Sequence, residues 1–269
     1  MTIEQKLIQD FWRDGAVLLK GVADPGWLDA LRDALNRNIA EPGPFGEVYT
    51  NDGEGGFYFG DYCNWQRIEG YRCFARDSGI AATVAALLGS KKVNLFHEHV
   101  LVKDPGTANP TPWHHDQPYW TVDGNQVCTT WVALDPVPAK VALEFVAGSH
   151  LSGQHYRPRH FLDDRDYDEN EGLPVPDINA NRDGYRILNW SLEPGDCLAF
   201  HARTLHAAPG NTGTHRRRAV AFRWTGDDAR FARRKGRMSP PFSDVTLQPG
   251  DPMDSEIFPI VWPPEQRMI

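Results

Sequence analysis

The stretch VNLFHEHVLVKDPGTANPTPWHHDQPYWTVDGNQVCTTWVAL, residues 93–134, decides the fold class. Its apolar runs are short, rich in Val, Leu, Phe and Trp, and broken by Pro and Gly, which is the punctuation of strands and not of helices. The same texture continues to about residue 224, with strands expected at 93–103, 112–116, 126–134, 142–147, 186–191, 197–201, 204–208 and 217–224. Short strands separated by long excursions suit a double-sheet jelly roll, a cupin-like double-stranded β-helix. A doubly wound sheet would need a helix between each pair of strands.

Outward from this core the pattern changes. Asp24-Pro25 reads as a helix cap with proline in the first turn, and Trp27, Leu28, Leu31, Leu35 and Ile39 follow at helical spacing up to Glu41-Pro42-Gly43. Before it, the apolar run between Gly15 and Gly21 reads as a buried strand, and a second helix is expected from Ser78 to the Gly89 stop. Residues 151–185 are polar and long for a connection, so a functional loop or lid is expected there. The proline-rich tail from 239 is expected to wrap the barrel in extended form. One domain over 1–269 results, mainly β with flanking helices: a helical N-terminal cover over about 1–92, a jelly-roll core over about 93–225, and the tail.

The composition excludes several classes. With 28 Lys+Arg against 36 Asp+Glu, a net charge of −8 argues against a nucleic-acid surface, which needs clustered positive charge. No run approaches the ~18 apolar residues of a membrane span, and the first residues lack the basic start and apolar run of a secretory signal, so a cytoplasmic protein is expected. Four cysteines, Cys63, Cys73, Cys128 and Cys197, are too sparse for a disulfide scaffold and read as free thiols.

The chemistry concentrates in TPWHHDQPYW, residues 111–120. In an extended segment His114 and Asp116 share one face and His115 takes the other. The opposite register would pair His115 with Gln117, a poor iron ligand. Residues 195–211 offer His201 and His206 as a third ligand. Two imidazoles and one carboxylate on one octahedral face leave open positions, the arrangement of non-haem Fe(II) oxygenases. His97, His99 and Lys103 fall on one face of the 93–103 strand, where three polar groups call for a wet cavity. Glu98 and Asp104 suggest no role.

The runs LVKDPG (101–106), WHHD (113–116), W-x-A-L-D-P (131–136), LEFVAGSH (143–150), GD (195–196), FHARTLHAAPGN (200–211) and the arginine run ending in RW (223–224) together resemble the phytanoyl-CoA dioxygenase family. These are Fe(II)- and 2-oxoglutarate-dependent oxygenases on a double-stranded β-helix. The resemblance extends from FWRDGAVLLKGV, residues 11–22, to about 224. It implies that His114, Asp116 and His206 hold the iron, because His206 stands eleven residues before Arg217, the spacing of the family's 2-oxoglutarate arginine. A guanidinium fork suits the C5 carboxylate bidentately. In a strand Arg217 shares its face with Ala219, Ala221 and Arg223, while Arg216 and Arg218 point to solvent. Trp131 matches a pocket tryptophan near the co-substrate, Thr129 on the same face offers it a hydrogen bond, and His97 matches a position contacting the keto acid. His99, Lys103, Tyr119 and Trp120 are expected to face the substrate, and His150 and His201 to be structural. PAKVALEFV departs from the Asn-Gly that often precedes this strand in the family.

The resemblance further implies Fe(II), 2-oxoglutarate and O2 as cofactor and co-substrates, with succinate and CO2 released as a small metabolite is hydroxylated. A retained Asp116 favours hydroxylation over halogenation; desaturation, ring formation and demethylation share the same requirements. A coenzyme A thioester would call for a basic groove, and beyond Arg216–Arg218 and Arg233–Lys235 little supplies one. No protein partner is evident. Two other readings stand beside the oxygenase: a metal-dependent cupin-type hydrolase or isomerase, and a non-catalytic small-molecule binding jelly roll.

Overall fold

A computed structural model of the chain describes residues 3–50, 55–159, 171–236, 238–243 and 245–266. The strands in chain order are β1 (Ala16–Leu19), β2 (Glu47–Val48), β3 (Tyr58–Tyr62), β4 (Val93–Lys103), β5 (Thr111–His114), β6 (Val122–Asp123), β7 (Val127–Ala133), β8 (Glu144–Val146), β9 (Ile187–Asn189), β10 (Cys197–His201), β11 (His206–Ala208), β12 (Arg217–Thr225), β13 (Arg230–Phe231) and β14 (Ile260–Trp262). A large antiparallel sheet runs β1-β10-β7-β12-β4-β3-β2, with β14 also on β4, and a smaller one runs β5-β11-β8-β9. Two facing antiparallel sheets are the jelly roll expected from the strand texture.

Four helices cover the outer face of the large sheet: α1 (Gln5–Asp14), α2 (Pro25–Ala40), α3 (Glu69–Asp77) and α4 (Ile80–Leu88). Asp24 caps α2, its side chain accepting from the Trp27 amide at 3.0 Å, with Pro25 in the first turn. Leu31, Leu35, Phe74, Val84 and Leu87 pack on Val100, Val132, Val220 and Phe222 of the sheet. Each such side chain, fully removed from water, contributes about 1.5–3 kcal/mol. Strand alternation turns Arg217, Ala219, Ala221 and Arg223 of β12 the other way, into the space between the sheets.

The strand expected between Gly15 and Gly21 is β1; the sequence reading left α1, α3, β2 and β3 unassigned, and β2 and β3 join the large sheet, so the N-terminal cover is less helical than expected. The strand expected at 112–116 ends at His114. There the amides of Asp116 and Gln117 both donate to the Ala202 carbonyl, at 2.9 and 3.0 Å, and this turns the chain into a short 3-10 helix, Gln117–Tyr119. Part of the tail forms β14, and Met253 and Phe258 pack against Phe96 and Trp120. Of the segment 151–185, residues 160–170 lie outside the described residues. Its later part is anchored: Ile178 is buried against Trp113, whose Nε1 donates to Asn179 Oδ1 at 3.0 Å. Among the described residues no helix is long and apolar enough to cross a membrane.

Candidate functional site

Antiparallel pairing places His206 of β11 directly opposite His114 of β5, and the turn after His114 brings Asp116 to the same spot. The ligand atoms of His114, Asp116 and His206 all lie within 4.8 Å of one another, in a buried setting. Nε2 of His114 is 3.6 Å and Nε2 of His206 3.9 Å from Asp116 Oδ1. Each imidazole is oriented from behind. His114 Nδ1 donates to the Pro112 carbonyl at 2.7 Å and His206 Nδ1 to the Thr204 carbonyl at 2.9 Å. A carbonyl only accepts, so the proton of each neutral ring sits on Nδ1 and both Nε2 lone pairs face the centre, as metal ligation requires. Burial, followed by the neighbouring His114, pushes the His206 imidazole down to about 3, so it is neutral at physiological pH. Burial would raise the Asp116 carboxyl, but the charges facing it, the Arg223 guanidinium among them, hold it below the usual carboxylate range. This donor set fits Fe(II). Thr129, expected to reach 2-oxoglutarate, instead directs its hydroxyl to Asp116 Oδ2 at 3.3 Å.

One cavity adjoins the triad, lined by the inward face of the large sheet. At one end β12 and β4 set Arg217 opposite Lys103. Both are buried, at 6% and 1% exposure, which is unusual enough for two like charges to demand a reason. Lys103 Nζ donates to the Asn109 carbonyl at 2.9 Å and to Thr111 Oγ1 at 3.3 Å, and lies 4.1 Å from the Tyr58 ring centroid. Arg217 donates to the Val141 carbonyl. Neither cation forms an ion pair with an Asp or Glu among the described residues. Burial, and then Arg217, lower the Lys103 ammonium; burial pushes the Arg217 guanidinium down to about 10. Two buried basic groups side by side, without an acidic partner among the described residues, would be favoured by an anion between them.

Six residues along β12 from Arg217, about 20 Å at strand rise, Arg223 occupies the other end. It stands between His97 of β4 and Thr129 of β7 in the sheet. Trp131 lies opposite Ala221, between the two ends, with its Nε1 unpartnered. His99 faces Tyr62, and Gly60 makes room for it: a Cβ at Gly60 would stand 3.1 Å from His99 Nε2 and 2.9 Å from the Tyr49 ring. Tyr119 and Trp120 also line the cavity; the Tyr119 hydroxyl donates to the Arg159 carbonyl and accepts from the Arg159 amide.

His115, His201 and His150 are turned elsewhere. His115 Nε2 accepts from the Tyr156 amide at 2.9 Å. His201 donates to the Asn125 carbonyl and accepts from the Arg203 amide, and His150 donates to the Trp12 carbonyl, all outside the triad. Arg218 and Arg216, expected to face solvent, are held by Asp135 and Asp104 respectively. Sequence reasoning missed Tyr58, Tyr62, Arg159 and Ser239 as cavity residues and gave Arg223 no role. For Arg223 the signal was present in its shared face with Arg217; for the others, none was.

The chain matches the family model described as Phytanoyl-CoA dioxygenase (PhyH) over residues 11–219. A curated relative described as a probable phytanoyl-CoA dioxygenase, from Caenorhabditis elegans, is 25% identical over 165 residues, 58% of this chain and 50% of that protein. The chain thus spans about half the length of this relative. Among solved structures, the non-heme alpha ketoglutarate dependent carbocyclase SnoK from nogalamycin biosynthesis aligns with a TM-score of 0.77 at 23% identity, covering 96% of each chain. The epimerase SnoN, solved in complex with Fe3+, alpha ketoglutarate and nogalamycin RO, aligns with a TM-score of 0.74 at 25% identity, covering 96% of this chain and 98% of that one. With the family model spanning most of its length and the jelly roll and iron-type triad in place, the chain belongs to the phytanoyl-CoA dioxygenase family.

Proposed function

We propose that the protein is an Fe(II)- and 2-oxoglutarate-dependent oxygenase acting on a small molecule, with hydroxylation as its reaction. The observation that carries this reading is the coincidence, in one cavity, of the His114–Asp116–His206 triad with the buried pair Arg217 and Lys103. A metal site alone would serve a hydrolase or isomerase, but such an enzyme gives no reason to bury two cations beside it. A five-carbon diacid does. When bound, the iron with 2-oxoglutarate and O2 supplies the oxidising chemistry at a substrate C–H bond, releasing succinate and CO2.

The chain contributes geometry. His114, Asp116 and His206 hold the metal on one face, and Thr129 orients Asp116. Arg217 takes the distal carboxylate with its fork, and Lys103, first read as a substrate residue, serves that same carboxylate from the neighbouring strand, helped by Tyr58 and Thr111. Trp131 flanks the co-substrate between the two ends, and Tyr119 and Trp120 wall off water. A coenzyme A thioester is disfavoured in this reading, because Arg217 and Lys103 are buried in the cavity and not presented to a surface groove.

Anaerobic loading with Fe(II) and 2-oxoglutarate, followed by oxygenation, tests the reading. A 2-oxoglutarate-dependent absorption band and succinate release are expected; the absence of both would overturn it. SnoK and SnoN are a carbocyclase and an epimerase, so product mass is the readout of reaction type: one oxygen atom gained for hydroxylation, two hydrogens lost for ring closure, no change for epimerisation.

A further inference from the structure

The end of the cavity opposite Arg217 carries a set of buried polar atoms without partners among the described residues. Arg223 is 7% exposed and lies 5.7 Å from the Trp120 ring centroid. Its Nη1 donates to the Ala221 carbonyl at 3.2 Å and its Nη2 to His99 Nδ1 at 3.3 Å, but Nε has no partner among the described residues. Arginine cannot accept, so His99 carries its own proton on Nε2, and that buried N–H is also unpartnered. His97 Nδ1, across the sheet from Arg223, is a third unpartnered atom. Buried polar groups are normally satisfied, and three orphans lining one wall mark the place of a missing partner.

That partner must be an acceptor and must bring charge. Among the described residues two carboxylates lie near Arg223, and both are committed: Asp116 to the metal triad, and Glu98 to the amides of Asn64 and Trp65, at 2.5 and 3.0 Å. A guanidinium held away from water without a counter-charge costs several kcal/mol, and its planar fork matches a planar pair of oxygens. We propose that Arg223, His99 and His97 form the recognition subsite for the substrate, and that the substrate is a carboxylate or another planar two-oxygen anion, its body lying against Trp120 and Tyr62. This assignment rests on the oxygenase reading above and gives its substrate a chemical class.

The test uses the protein loaded with Mn(II) and 2-oxoglutarate, titrated with a panel of small organic acids, each paired with its primary amide, and followed by tryptophan fluorescence or calorimetry. At least one acid is expected to bind tenfold or more tighter than its amide, and in Arg223→Met that ratio should fall to within about twofold. The ratio is taken within each variant, so a general loss of affinity cancels. Should the methionine variant fail to fold, Arg223→Lys, which keeps the charge and loses the fork, is expected to cut the ratio about threefold or more. Loaded protein without any acid preference would overturn the subsite, including the case in which a carboxylate of 2-oxoglutarate itself engages Arg223. So would a ratio that survives the substitution. A protein with no Mn(II)-dependent 2-oxoglutarate binding would instead bring down the oxygenase reading.

Discussion

Replacing Arg217 with methionine should have opposite effects on the empty and the loaded protein. In the empty protein the guanidinium is buried beside Lys103 and its value is pushed down to about 10. At 1.36 kcal/mol per pH unit, that displacement from the ordinary arginine value is worth about 3 kcal/mol against folding. The sign follows from the direction: with the folded value below the free one, the penalty is fully present at neutral pH and fades only as the pH rises past about 10. Methionine removes this charge and keeps much of the stem, at the loss of one charge-assisted hydrogen bond to the Val141 carbonyl, about 1.5–3 kcal/mol. The balance is a metal-free variant no less stable and up to about 1.5 kcal/mol more stable, a rise of up to roughly 5 °C in melting temperature for a chain of this size. For 2-oxoglutarate the same change removes a buried charge partner, about 2–5 kcal/mol, so affinity should fall at least about thirtyfold. Ligand at a hundred times its dissociation constant stabilises by about 2.7 kcal/mol, and the variant should lose most of that increment. Scanning fluorimetry of metal-free and Mn(II)-loaded protein, with and without 2-oxoglutarate, reads all three quantities. A variant that melts lower when empty and loses metal and 2-oxoglutarate together would show that Arg217 is a structural residue, and the anion site would be wrong.

Other substitutions separate ligands from supports. Thr129→Val removes the hydroxyl that donates to Asp116, and chelator competition should show metal affinity about tenfold weaker; an unchanged affinity would mean that the contact does not orient the carboxylate. His206→Ala should abolish metal binding, whereas His201→Ala should leave it within about threefold and lower stability by about 2–4 kcal/mol through the lost Asn125 and Arg203 hydrogen bonds, as read by denaturant unfolding. Metal loss in the His201 variant would contradict the choice of ligand. Ile178→Ala, at a fully buried site, should cost about 2–4 kcal/mol and expose 171–185 to limited proteolysis before the rest of the chain unfolds. Cleavage appearing only with global unfolding would refute that anchoring.

Strand β4 was legible because a run rich in Val, Leu and Phe lies between Gly89 and Pro105-Gly106, and Val93–Lys103 is the strand found. The metal ligands were legible as a triplet, but for a partly mistaken reason: Asp116 reaches the centre by a turn, through amide bonds to Ala202 far along the chain, and not by strand alternation. Helix α1 carried readable spacing in Leu7, Phe11 and the Gly15 stop, with φ +84° at that glycine, and was overlooked among its charged neighbours. Strand β3 contains Gly60 and Asp61, residues depleted in strands, so local preference pointed away from it. The Lys103–Arg217 pairing is a matter of register between strands distant in the chain, and such facts exist only once the sheet has formed.

The cavity draws on chain inside the family match and on chain beyond it. Every metal ligand, Arg217 and Lys103 fall inside the span matched by the family model, which stops at 219. Arg223, Ser239, whose amide donates to the Tyr119 carbonyl, and Phe242, edge-on to His97, all fall beyond it. Of the proposed substrate subsite, His97, His99, Trp120 and Tyr62 lie inside the matched span and Arg223 lies beyond it, so the part of the pocket past 219 can vary while the triad is kept. A library confined to 238–243 would explore new substrates on an unchanged engine, and relatives that agree through β11 can be expected to differ in what they accept wherever the following chain differs.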